Sequence, residues 1–145
     1  MYLLIRKISS YTGSDLLLGV FVRQQAAEGA RIEYSKRYSR DPQTDPWYDQ
    51  GYKSPGLSAE DLLMLEFEFE GPIPDVVFVV SRYSYGFGQV LRAFDSVYPT
   101  QEAATARIAR IAEWARERTF PPEGDCQRVP VGVLLSDARE DQPRW

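Results

Sequence analysis

The chain has 145 residues, no histidine, one cysteine and a formal net charge of −4. A chain of this length forms one domain and buries enough surface to fold without disulfides or a metal. The missing histidines exclude Ser-His-Asp and Cys-His nucleophile pairs, and the lone Cys126 excludes an intramolecular disulfide and a cysteine-rich zinc site. A mild excess of acid gives no general attraction to phosphate backbones, so nucleic acid is not an expected partner. The apolar run Tyr2 to Ile5 ends at Arg6-Lys7, too short for a signal peptide, and no stretch approaches the roughly 18 apolar residues of a membrane span. A cytoplasmic protein that does not engage a membrane is the expectation.

Tyr2 to Ile8 and Leu16 to Val22 are predicted as an antiparallel pair joined at Thr12-Gly13-Ser14-Asp15. Residues 24–38 have two readings. As a helix they place Ala27, Ala30, Tyr34 and Tyr38 on one side, with Gly29 as a weak point. As a strand they alternate Ile32, Tyr34, Lys36 and Tyr38 after a turn at Glu28-Gly29. The helix is preferred because a second, clearer copy of the pattern follows later. Ser39 to Leu57, with Pro42, Pro46, Gly51, Pro55 and Gly56, is a long loop carrying Trp47, Tyr48 and Tyr52.

From Leu63 the chain alternates strictly. Leu65, Phe67 and Phe69 fall on one face of a half-buried strand, and Glu66, Glu68 and Glu70 on the other. Gly71-Pro72-Ile73-Pro74 divides the chain into halves, residues 1–71 and 75–135. Val76 to Val80 reads as a central strand, and Tyr85-Gly86-Phe87-Gly88 as a hairpin turn into a strand over Val90 to Val97. Thr100 is a helix N-cap, and Ala104, Ile108, Ile111 and Ala115 give helical spacing out to about Arg118. Arg128 to Leu135 is the last predicted strand, and 136–145 a flexible tail.

The order β-β-α-β therefore occurs twice. Ala26-Ala27 and Ala30-Arg31-Ile32 in the first half have counterparts in Ala103-Ala104 and Ala106-Arg107-Ile108, out of step by one residue. The predicted fold is α+β, an antiparallel sheet with helices on one face and a possible internal duplication of a β-β-α-β unit. The expected core comprises Leu4, Leu18, Phe21, Leu65, Phe67, Val77, Val79, Phe94, Ile108 and Ile111.

Val77 to Tyr83, Val90 to Val97 and Thr100-Gln101-Glu102-Ala103-Ala104 carry a resemblance. The stretch resembles small uncharacterised bacterial α+β domains, some of immunity-protein type that neutralise bacterial toxins. The resemblance implies a protein-binding role and brings no catalytic residues with it.

The residues themselves offer two interaction features. Glu66, Glu68 and Glu70 form an acidic strand face suited to a basic protein surface, and Trp47, Tyr48 and Tyr52 are residue types enriched at interface hot spots. Each also has a plain structural explanation, as a solvated sheet face and as a loop packed on the core. The leading expectation is a non-enzymatic protein-binding module, such as an immunity or antidefence inhibitor acting on a basic protein partner, with no metal or cofactor. A small-ligand-binding or regulatory domain and a carboxylate- or tyrosine-based enzyme are the alternatives.

Overall fold

A computed structural model describes residues 1–7, 14–38, 62–86 and 89–135. Their elements, in order, are β1 (Tyr2–Arg6), β2 (Leu16–Phe21), α1 (Gln24–Tyr38), β3 (Leu62–Glu66), β4 (Val76–Gly86), β5 (Gln89–Tyr98), α2 (Gln101–Ala115) and β6 (Glu123–Pro130). They form two three-stranded antiparallel sheets, ordered β2-β1-β3 and β5-β4-β6. The α+β class holds, with one helix on one face of each sheet and the chain divided between two sheets rather than one.

Strand alternation decides how these layers stack. Leu3 and Ile5 of β1 and Leu17 and Val20 of β2 meet Val77 and Val79 of β4, Val97 of β5 and Val129 of β6, so the two sheets pack face to face. Leu63, Leu65, Phe67 and Phe69 join this central layer. On the outer face of the first sheet, Leu4, Leu16, Leu18 and Leu62 receive Ala27, Ala30 and Tyr34 of α1. On the outer face of the second, Val80 receives Ala104 and Ile111 of α2, with Phe78, Ile108 and Cys126 around them. The result is a helix–sheet–sheet–helix sandwich.

Residues 24–38 are helical, as preferred. Ala27, Ala30 and Tyr34 are buried while Ile32 is 45% exposed, which a strand alternating through Ile32 and Tyr34 would not produce. Glu28–Arg31 and Glu33–Arg37 ion pairs support α1, and Lys36 and Arg37 sit favourably at its C-terminal dipole. Thr100 caps α2 as expected, its hydroxyl accepting from the Ala103 amide at 3.2 Å.

Several boundaries differ from the sequence reading: β3 ends at Glu66 rather than running on through Glu70, and β4 continues to Gly86 instead of stopping at Val80. α2 ends at Ala115, and the Arg116 and Arg118 amides bond three residues back, to Glu113 and Ala115. The last strand spans Glu123–Pro130 rather than Arg128 to Leu135. Its polar first half disguised it. β6 is an edge strand, so Glu123 and Asp125 face solvent while Gly124 and Cys126 lie toward α2. Gly124 belongs there because a Cβ would come within 3.3 Å of the Ile108 side chain.

After β6 the chain crosses to the first sheet. Val131 bridges Val20 in parallel, and the Gly132 and Leu135 amides donate to the Val20 and Leu18 carbonyls at 2.7 and 2.8 Å. This strap covers the outer edge of β2. Gly19 makes room for it, since a Cβ there would lie 2.8 Å from the Val133 carbonyl oxygen.

The two halves share one plan, which makes an internal duplication plausible. In each, the first strand is central and the second carries one extra residue: Leu18 between the partners of Leu4 and Ile5, Asp95 between those of Val80 and Ser81. Residue 18 maps to 95, 21 to 98, 24 to 101 and 38 to 115, a constant offset of 77. Ala27 and Ala104 are thus equivalent, and both are wholly buried. The Ala-Arg-Ile triplets are not equivalent, since they lie one residue out of step; Arg107 occupies the place of Ala30.

Candidate functional site

The acidic row sits on the first sheet. β3 is an edge strand that, among the described residues, pairs only with β1. Pairing runs one residue past it, where Met1 and Phe67 exchange hydrogen bonds through the N-terminal amine and backbone at 2.9 and 2.8 Å. Leu65, Phe67 and Phe69 turn into the layer between the sheets, as the alternation predicts. Glu66, Glu68 and Glu70 are exposed, on the side that Leu62 and Met64 share with α1. The strand ends at Glu66, so the predicted alternating strand face is realised only there, and Glu68 and Glu70 lie in the extension beyond it, between the partly buried Phe67 and Phe69. Trp47, Tyr48 and Tyr52 lie outside the described residues.

A second cluster escaped the sequence reading. Asp95, the extra residue in β5, faces α2, where Arg107 grips its carboxylate with two hydrogen bonds of 2.7 and 2.9 Å. The Ser96 hydroxyl donates to it at 2.6 Å, and Arg82 Nε of β4 lies 3.3 Å away. The Asp95 side chain is 6% exposed, whereas both arginines are 35% exposed. The Arg107 hydrogen bonds, then that from Ser96 and the charges of Arg107 and Arg82, hold the Asp95 carboxyl below the usual carboxylate range against its burial. A carboxylate so held stays ionised near neutrality and cannot serve there as a general acid.

Arg82 also lies against the Trp114 ring at 5.9 Å, and Arg118 stacks on that ring at 3.7 Å. Trp114 is half-exposed, and Phe120 beyond it is the most exposed large apolar side chain described, at 77%. Alternation from Phe94 already turns Asp95 toward α2; what the bulge changes is the stretch after it, returning Val97 to the central layer.

Arg92 is a third unusual position, a buried guanidinium between the sheets. It donates to Ser81 Oγ at 3.0 Å, Gln127 Oε1 at 3.2 Å and the Asp15 carbonyl at 3.3 Å, and lies over the Phe94 ring at 4.5 Å. These bonds tie β4, β5 and β6 to the start of β2, which is a structural role. Burial, then the charge of Asp125, pushes the Cys126 thiol up, so the residue is a poor nucleophile. Among the described residues, no group of three or more carboxylates and cysteines is placed to hold a metal ion, and no helix is long and apolar enough to cross a membrane. The chain matches no family model, no curated protein and no solved structure.

Proposed function

We propose that the chain is a non-enzymatic protein-binding module that engages a basic protein surface through Glu66, Glu68 and Glu70. The observation that carries this reading is the edge-strand ridge itself. Three exposed carboxylates alternate with partly buried aromatic side chains that pack on the central layer, so the negative charge is presented on one side of the segment. Such a ridge speeds encounter with a positive patch and orients it. The immunity-type resemblance supports an inhibitor that acts by covering its target. Within this reading, Trp47, Tyr48 and Tyr52 supply aromatic contact area.

The test is capture of the partner from the native host, followed by association kinetics with E66Q/E68Q/E70Q. Association of the wild-type chain should slow as salt rises, because the Debye length contracts from about 10 Å at 0.1 M to about 3 Å at 1 M. The triple variant should associate more slowly at low salt and lose most of that dependence. An unchanged rate and salt slope would show the glutamates to be only a solvated face.

A further inference from the structure

α2 covers its sheet unevenly. It seats Ile108 and Ile111 over Val80 of β4 and over Gly124 and Cys126 of β6. β5, on the far side of β4, meets the helix through the Asp95–Arg107 pair. Ala93 pairs with Arg82, which lies against the Trp114 ring, so Ala93 and Leu91 belong to the face of the sheet that bears α2. Both are exposed, Leu91 by 63%. A step therefore runs along the molecule, with the face of β5 as its floor and the Trp114 flank of α2 as its wall.

The wall carries an ordered pair of charges. Trp114 is half-exposed, and helical geometry puts Arg110 about 40° from it and Glu117, in the turn that prolongs α2, about 60° from it, both on the outer side. Two helical turns, about 10.5 Å, separate Arg110 from Glu117, too far for them to pair with each other. α1 joins its charges within the helix, as Glu28–Arg31 and Glu33–Arg37. Neither Arg110 nor Glu117 belongs to an ion pair among the described residues. An acidic partner would suit one of them and a basic partner the other. A second copy of α2 running antiparallel suits both, since a two-fold axis beside Glu113 and Trp114 sets each Arg110 against Glu117 of the copy.

We infer that this step is a self-association surface, in which α2 of a second copy packs antiparallel against α2 and over the face of β5. Arg110 and Glu117 then form two symmetry-related ion pairs, and Trp114 lies beside the axis as the central anchor. Phe120, 77% exposed and just beyond Glu117, falls toward Ala106 of the copy, an exposed residue small enough to receive a ring. Leu91 comes under the helix of the copy and leaves water. Glu66, Glu68 and Glu70 stand on the α1 side of the other sheet, so the dimer leaves the proposed partner site open and does not rest on it.

The experiment is sedimentation velocity of the full chain across a wide range of protein concentration, which should show a monomer–dimer equilibrium. Arg110→Glu and Glu117→Arg, both exposed changes that leave the core intact, should each weaken self-association about tenfold, because each sets like charges opposite one another. An equimolar mixture of the two variants should dimerise as the wild type does, since one chain then brings two glutamates to the axis and the other two arginines. E66Q/E68Q/E70Q should also dimerise as the wild type does, which separates this surface from the proposed ridge. The inference is overturned if the wild-type chain stays monomeric at the highest concentration, or if either charge reversal leaves a dimer unchanged. It is overturned equally if mixing the two variants restores nothing, or if the dimer is lost in E66Q/E68Q/E70Q instead.

Discussion

Replacing Asp95 and Arg107 with their counterparts in the other half, leucine (as Leu18) and alanine (as Ala30), tests the repeat and the energetics of the buried ion pair together. Asp95→Leu alone leaves two guanidiniums without their anion, but both are already 35% exposed and can turn to water. Its cost should therefore fall below the 3–5 kcal/mol of a fully buried pair, at about 1–2 kcal/mol. Arg107→Ala alone strands a 6% exposed carboxylate on Arg82 and Ser96, and should cost more, about 2–3 kcal/mol. The double variant recreates the apolar contact of the first half and should lie about 1 kcal/mol from the wild type, a coupling of about 2–4 kcal/mol. Urea unfolding of the four proteins gives each value. The folded Asp95 carboxyl titrates lower than the unfolded one, so its contribution is complete above the unfolded value and is lost as pH falls through the folded value. The stability advantage of wild type over Asp95→Leu should accordingly shrink on acidification below about pH 4. If the double variant loses the sum of the two single losses, the two positions are not interchangeable with Leu18 and Ala30 and the structural equivalence fails.

Gly29→Ala should stabilise the chain by about 0.5–1 kcal/mol, because the glycine lies inside α1 with nothing within 4 Å of an added Cβ; a thermal melt should rise by about 2–4 °C, and a fall would deny the helix. Ile111→Ala should cost about 2–5 kcal/mol and Ile108→Ala clearly less, since the first is 2% exposed and the second only partly buried; denaturant midpoints in the reverse order would misplace the face of α2. Gly19→Ala should destabilise by about 1–3 kcal/mol, because its methyl meets the Phe21 ring and the Val133 carbonyl oxygen at 2.8 Å. Unchanged stability with slow amide exchange at Gly132 and Leu135 would show that the strap yields freely.

Periodicity carried the reading of this chain a long way where one face of an element meets the core. Leu65, Phe67 and Phe69 and the exposed glutamates between them follow from alternation alone, as do Val77 and Val79. Thr100 declared its helix because capping is local chemistry. β6 was legible only in its apolar second half, since a strand at a sheet edge has no need to be hydrophobic throughout. The face of Asp95 was legible, since alternation from a core Phe94 turns it toward the helix, but its partners were not, because Arg107 and Arg82 come from other elements. The inward turn of Val97 was hidden by the bulge, which is a property of two strands in register rather than of either sequence. The doubling of the fold showed in element order, yet the matching triplets suggested the wrong superposition, because helical position counts by residue and theirs differs by one.

The strap from β6 to β2 has a consequence for the order in which the molecule can be made. β1, β2 and α1 are complete as soon as the first 38 residues exist, yet the carbonyls of Leu18 and Val20 wait for amides at Leu135 and Gly132. Until then the nascent chain exposes a strand edge beside Leu3, Ile5, Leu17 and Val20, whose partners Val77, Val79, Val97 and Val129 belong to the other half. Synthesis therefore leaves an interval in which the first half can pair with a neighbouring nascent chain instead of its own C-terminal segment. The arrival of Val131 to Leu135 closes that window.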